Sequence, residues 1–251
     1  MRVIILLITS LILISCATQE VKNSNSEDIK VNPKAAEVNV QLGAHYISEG
    51  EYKLADDKLK RAFKQDPRSS MARWTYAIMQ EKLEQPEAAN YYYKEALRIN
   101  PKDSQGQYNY GSFLCRQKKY KESENHFVKA LADPLYQGKA AANLNAGVCL
   151  MEVPDYDRAE GYFKETLRLQ PNNRVAMYQM AKLNYLQGNY AQAQSYIRDF
   201  EELSPHSPIS LLLAYQIEKE LGNTKIASSY AKELRQNYPA SEQARQLIRI
   251  Q

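Results

Sequence analysis

Leu42-Gly43-x-x-Tyr46, then Tyr52-x-x-Ala55, Leu59-x-x-Ala62 and Pro67: the offsets within this stretch decide the fold. They recur down the chain. The closing prolines are Pro67, Pro101, Pro171, Pro205 and Pro239, separated by 34, 70, 34 and 34 residues. The long step hides a copy whose proline, Pro134, stands one place early, ahead of a two-residue insertion. Small residues mark the middle of each copy: Ala55, Ala89, Ser123, Ala159, Ala193 and Ala227. Six copies start near Ala36, Ser70, Ser104, Ala140, Arg174 and Pro208, and places are counted from these starts.

Place eight is small in five copies: Gly43, Ala77, Gly111, Gly147 and Ala181. Glycine costs a helix about 1 kcal/mol against alanine, so its recurrence predicts the close approach of a second helix. The small residue at place twenty is the expected partner. The bulky residues at place twenty-four, Leu59, Tyr93, Phe127, Phe163 and Ile197, fill the space beside it. Gly50, Gly188 and Gly222 suit the C-terminus of the first helix of a pair. Pro67 and its equivalents end the second helix, because proline brings no amide donor. Tyr52, Tyr120, Tyr156 and Tyr190 share place seventeen, where the second helix begins.

A helix-turn-helix of 34 residues with this spacing resembles the tetratricopeptide repeat. The resemblance implies an all-α, right-handed superhelical solenoid of six repeats over residues 36–251. One helix pair cannot bury its apolar side, and stacking does so. A last helix over residues 240–251, with Ser241 placed to cap it, is expected to cover the end of the array.

Residues 1–15, MRVIILLITSLILIS, carry one positive charge and an apolar run, the pattern of a secretory leader. It ends Leu13-Ile14-Ser15-Cys16, which resembles the bacterial lipobox. That resemblance implies cleavage before Cys16 and acylation of this cysteine, and several acyl chains together anchor stably. Ala17, where aspartate retains a lipoprotein in the inner membrane, implies the periplasmic face of the outer membrane. Residues 16–35 are polar and without apolar periodicity, a tether. The net charge is +4, without the basic stripe that nucleic-acid binding needs.

No catalytic, cofactor-binding or metal-binding motif stands in the sequence, and none for a small-molecule substrate. His45, His126 and His206 fall at unrelated places. Cys115 and Cys149 lie at places twelve and ten of adjacent first helices. On one helical wheel that offset turns them ~200° apart, so two buried free thiols are expected rather than the disulfide an oxidising compartment permits.

The fifth place carries Val40, Trp74, Tyr108, Leu144, Tyr178 and Leu212, while the fourth, often apolar in the family, is Asn39, Arg73, Gln107 and Asn143 in the first four copies. In the family, places five, nine and twelve of the first helix face the concave groove. The resemblance therefore implies a partner-binding stripe of Val40, Ala44, Ile47, Trp74, Ile78, Tyr108, Leu144, Val148 and Tyr178. Such a groove takes an amphipathic or extended peptide. The alternative is that the helices are rotated and these residues are core. Ninth places of Ala44, Ile78, Ser112, Val148, Lys182 and Gln216 lack the pattern of the family's carboxylate clamp.

Three further stretches narrow the resemblance. They are Asn109-Tyr110-Gly111-x-Phe113-Leu114, the insertion with Leu135-Tyr136, and Ser210-Leu211-Leu212-Leu213 with Tyr238-Pro239. With the lipobox and six repeats, the chain resembles the pilotins of type IV pilus systems. These are non-enzymatic lipoproteins whose partner is the secretin, the outer-membrane ring that the pilus crosses. The same fold and lipid would equally serve a scaffold for cell-wall enzymes or outer-membrane protein insertion.

Overall fold

The computed structural model describes residues 31–250; the leader, Cys16 and most of the expected tether lie outside them. The described residues form thirteen helices and no strand: α1 Pro33–Ser48, α2 Tyr52–Gln65, α3 Ser70–Lys82, α4 Pro86–Ile99, α5 Ser104–Arg116, α6 Tyr120–Leu131, α7 Lys139–Met151, α8 Tyr156–Leu169, α9 Arg174–Leu186, α10 Tyr190–Leu203, α11 Pro208–Glu220, α12 Thr224–Asn237 and α13 Glu242–Ile250. Twelve pair as antiparallel hairpins, and α13 packs on α11 and α12 with Ala244 and Leu247 buried. Ser241 caps α13, its hydroxyl accepting from Ala244 N at 3.1 Å.

Each first helix lies with its backbone close to the first helix of the next repeat, whereas among the described residues the backbones of successive second helices stand apart and meet only through long side chains, such as Phe63 with Tyr92 and Arg158 with Glu124. The first helices therefore line the inside of the curve, and α2, α4, α6, α8, α10 and α12 form the outside. This superhelical stack has six small core clusters, one at nearly every seam, rather than one central core.

α1 starts at Pro33, inside the segment expected to be tether. Asn32 Oδ1 accepts from Ala35 N at 3.1 Å, and proline's fixed φ suits the first helical position. The same capping by Ser69, Asp103, Asn173 and Ser207 opens α3, α5, α9 and α11. The turns at Gly50, Gly188 and Gly222 have φ of 77°, 79° and 75°. In two copies Glu84 and Lys118 hold the same left-handed conformation, at 56° and 59°. The insertion lengthens one connection to residues 132–138, where the equivalent loop after α2 holds only 66–69.

The close approaches are real, but the glycines meet mainly the place-twenty-four side chain. A Cβ on Gly43 would stand 2.7 Å from Leu59, and one on Gly147 2.5 Å from Phe163. Only at Gly111 does the place-twenty backbone, Ser123 O at 3.1 Å, share the contact with Phe127.

Cys115 and Cys149 are joined by a disulfide, Cα to Cα 5.8 Å, which corrects the expected free thiols. The wheel comparison treated both as points on one helix, but they sit on α5 and α7, which lie side by side. Place ten is buried in repeats two to six (Met79, Phe113, Cys149, Leu183 and Ile217), facing the preceding repeat. It therefore looks back at place twelve of its neighbour, and the offset brings the sulfurs together.

Polar residues at place four are engaged beneath the surface. Gln107 is buried, with Nε2 donating to Pro101 O at 2.8 Å and Oε1 at 2.6 Å from His126 Nδ1. His126 also lies 4.6 Å from the Tyr110 ring. Burial, and then the Lys129 ammonium, push the His126 imidazole down to about 4. An unfolded histidine titrates near 6.5. Between these values the unfolded chain binds a proton that the folded chain refuses, so stability is complete above about 6.5 and falls as pH drops toward 4. Discounted for partial exposure, the loss attributable to His126 is about 2 kcal/mol. Urea midpoints at neutral and mildly acidic pH should differ by less in His126→Gln than in the wild type. An equal acid loss in both proteins would remove His126 as the cause.

Candidate functional site

The nine residues of the expected stripe do not form one continuous band. Val40 and Ile47 are buried with Leu59, Ala72 and Met79, because α3 covers that side of α1, so they are core. Ala44 is exposed. Leu144 and Val148 are half-buried and pack toward Met180 and Leu183 of repeat five.

Trp74 is half-buried at the seam of repeats two and three. Its indole N–H donates to Asp103 Oδ2 at 3.1 Å, which also accepts from Ser70 Oγ at 2.7 Å. The other oxygen of Asp103 caps α5 through Gly106 N at 2.9 Å. One carboxylate thus fixes the indole against the start of the next helix. Ile78, one turn on, and Tyr108 of α5 do come together, on the wall of a hollow of about 460 Å³.

That hollow is more polar than the stripe implied. Glu81 and Arg116 pair across it, and Tyr93 donates its hydroxyl to Glu81 Oε1 at 2.5 Å. Burial, with the Glu81 charge beside it, pushes the Tyr93 phenol well above its ordinary value. Asn145 Nδ2 donates to the Tyr108 hydroxyl at 2.9 Å, and Ser112 completes the wall. Tyr178 lines a separate hollow with Lys182, Leu186, Ile209 and Leu212. Apolar contact, aromatic edges and fixed amide groups are the chemistry of peptide binding. Among the described residues no group of three or more His, Cys, Asp or Glu is placed to hold a metal ion. No described helix is long and apolar enough to cross a membrane.

The tetratricopeptide repeat family model matches residues 40–104, 114–174 and 150–208. The chain belongs to the tetratricopeptide repeat family. Within it, the type IV pilus assembly protein PilF of Pseudomonas aeruginosa is 29% identical over 178 residues, 71% of this chain and 70% of PilF. The solved structure of PilW, described as a widely conserved type IV pilus biogenesis factor, superposes with a TM-score of 0.80 at 31% identity. That likeness covers 86% of this chain and all of PilW. The solved Pseudomonas aeruginosa PilF gives 0.79 at 28%, over 86% of this chain and 98% of its own. The chain is homologous to PilF and shares the PilF and PilW fold.

Comparing the tetratricopeptide repeats with one another shows a surface that the sequence reading missed. Place three is buried in repeats two to six, as Ala72, Gly106, Ala142, Ala176 and Ser210, and place seven as Tyr76, Tyr110, Ala146, Met180 and Ala214. In repeat one these places are Val38, 54% exposed, and Leu42, 39% exposed. They stand one turn apart on the face of α1 that a preceding repeat would cover. Among the described residues α1 packs on α2 and α3, and this face is left exposed. Terminal repeats normally turn a polar face outward, as α13 does by covering the other end. The signal was present in the sequence: two apolar residues at seam positions of a copy with no repeat before it.

Proposed function

We propose that this chain is an outer-membrane lipoprotein of type IV pilus biogenesis, a pilotin that binds the secretin and promotes its localisation and multimerisation. The observation that carries this reading is the structural correspondence with PilW and PilF over 86% of this chain. The lipobox ending at Cys16 supports the anchor, and the Cys115–Cys149 disulfide fits an oxidising compartment. Acyl chains on Cys16 hold the array at the membrane. The Val38–Leu42 face and the Trp74–Ile78 wall, both in the repeats nearest the anchor, take up an apolar segment of an unassembled secretin subunit. Tethering raises the effective concentration of captured subunits and favours their assembly.

The test is the state of the secretin in cells lacking the protein, in cells with Cys16→Ala, and in cells with Val38→Asp and Leu42→Asp together. Both aspartates would sit on an exposed face and leave the fold intact. Outer-membrane rings should disappear in the first, be lost or mislocalised in the second, and fall about tenfold in the third. Normal rings in all three strains would return the protein to an unidentified envelope scaffold.

A further inference from the structure

The insertion between repeats three and four shapes a surface on a different part of the molecule from the Val38–Leu42 face of repeat one. Leu135, at its tip, is 79% exposed, the largest value among the exposed large apolar side chains of the described residues. The loop beneath it is firmly held. Asp133 Oδ1 accepts from Leu135 N at 2.9 Å, and Oδ2 accepts from Ser104 Oγ at 2.8 Å. Lys139 Nζ donates to Pro134 O at 2.9 Å. Tyr136 turns inward and packs against the cluster around Phe127 and Ala142. A Cβ on Gly138 would overlap the Tyr136 ring, so glycine is what lets the ring fold in. With Tyr136 committed inward and Asp133 fixing the turn, Leu135 is held out in water.

Beside it lies a hollow of about 570 Å³. Pro101, Ala132 and Pro134 give it apolar walls, and Lys102, Lys129 and Asp133 its charges. The Asp133 carboxylate is occupied by Ser104 and by the Leu135 amide. Among the described residues neither lysine ammonium has a carboxylate partner. The surface thus offers a fixed apolar anchor, an apolar hollow and two lysine ammoniums outside any ion pair, beside one carboxylate whose oxygens are already taken up by neutral donors.

We propose that this loop and hollow form a docking site for an acidic polypeptide segment, one that places an apolar side chain beside Leu135 and carboxylates against Lys102 and Lys129. A loop already held in place loses little entropy on binding. Two copies facing each other here would set lysines against lysines, which disfavours self-association. A flat bilayer would leave the hollow unfilled.

The experiment pans a phage-displayed library of random short peptides on the purified protein and measures the enriched sequences as synthetic peptides. Each is also measured on Leu135→Ser and on the double variant Lys102→Glu with Lys129→Glu. All three substitutions are on exposed or rim positions, and unchanged melting curves check that the folds are intact. The expected peptides carry an apolar residue flanked by Asp or Glu and bind each variant about tenfold more weakly. The charge-reversed variant should instead enrich basic flanks. The proposal falls if no peptide enriches, if the enriched peptides bind both variants as they bind the wild type, or if their flanks are neutral or basic. It falls equally if Leu135→Ser instead abolishes dimerisation in sedimentation, or binding to phosphatidylglycerol vesicles.

Discussion

Opening the Cys115–Cys149 bridge should destabilise the protein by about 3–4 kcal/mol, the chain-entropy value for a closed loop of this length. The two cysteines are 34 residues apart, so the bridge closes one full repeat. In a solenoid each repeat is held by its neighbours alone. The bridge joins α5 to α7, at the seam that also carries the longest connection, residues 132–138. Its loss therefore weakens one seam rather than the whole array, and unfolding should become less cooperative. Urea unfolding of the wild type with and without reductant measures the effect. Cys115→Ser with Cys149→Ser should match the reduced wild type and ignore the reductant. An unchanged midpoint in a wild type whose two thiols titrate as free would show that the seam holds without the bridge.

The pairing of helices was legible because tetratricopeptide spacing is itself a record of packing. Gly43, Gly111 and Gly147 are tolerated in helices only where another helix comes close, and they do meet Leu59, Phe127 and Phe163. The turns at Gly50, Gly188 and Gly222 were legible for a similar reason, since only glycine takes that φ without cost. Glu84 and Lys118 hold the same conformation with no sequence signal, because the surrounding helix pair imposes it.

What a single-helix wheel cannot show is which faces meet between helices. That hid the disulfide; and the family's groove places, carried over to repeat one, put Val40 and Ile47 on the groove although α3 covers them. It also gave no hint that the middle of the groove is crossed by Glu81 and Arg116. Two features were readable and were missed: the Asn32-Pro33 start of α1, and the apolar seam face of repeat one at Val38 and Leu42.

The packing behind the repeat can be measured directly. Phe163 is fully buried, and Phe163→Ala should cost about 4 kcal/mol through lost apolar contact and the cavity left behind. Gly147→Ala puts a methyl where the Phe163 ring stands, 2.5 Å from the nearest ring carbon. Overpacking of that kind costs about 1–3 kcal/mol, against a gain of about 1 kcal/mol in helix propensity. Packing wins, and the single variant should be less stable than the wild type. With Phe163→Ala the ring is gone, the methyl enters the cavity, and the propensity gain remains. Gly147→Ala should then stabilise by about 1 kcal/mol, a reversal of sign that only direct contact produces. Gly161 supplies the control: it lies on α8 with nothing within 4 Å of its would-be Cβ. Gly161→Ala should stabilise by about 1 kcal/mol in either background. If Gly147→Ala behaved like Gly161→Ala in the wild-type protein, close helix approach would not be the reason for glycine at place eight, and the spacing that defines these repeats would need another physical cause.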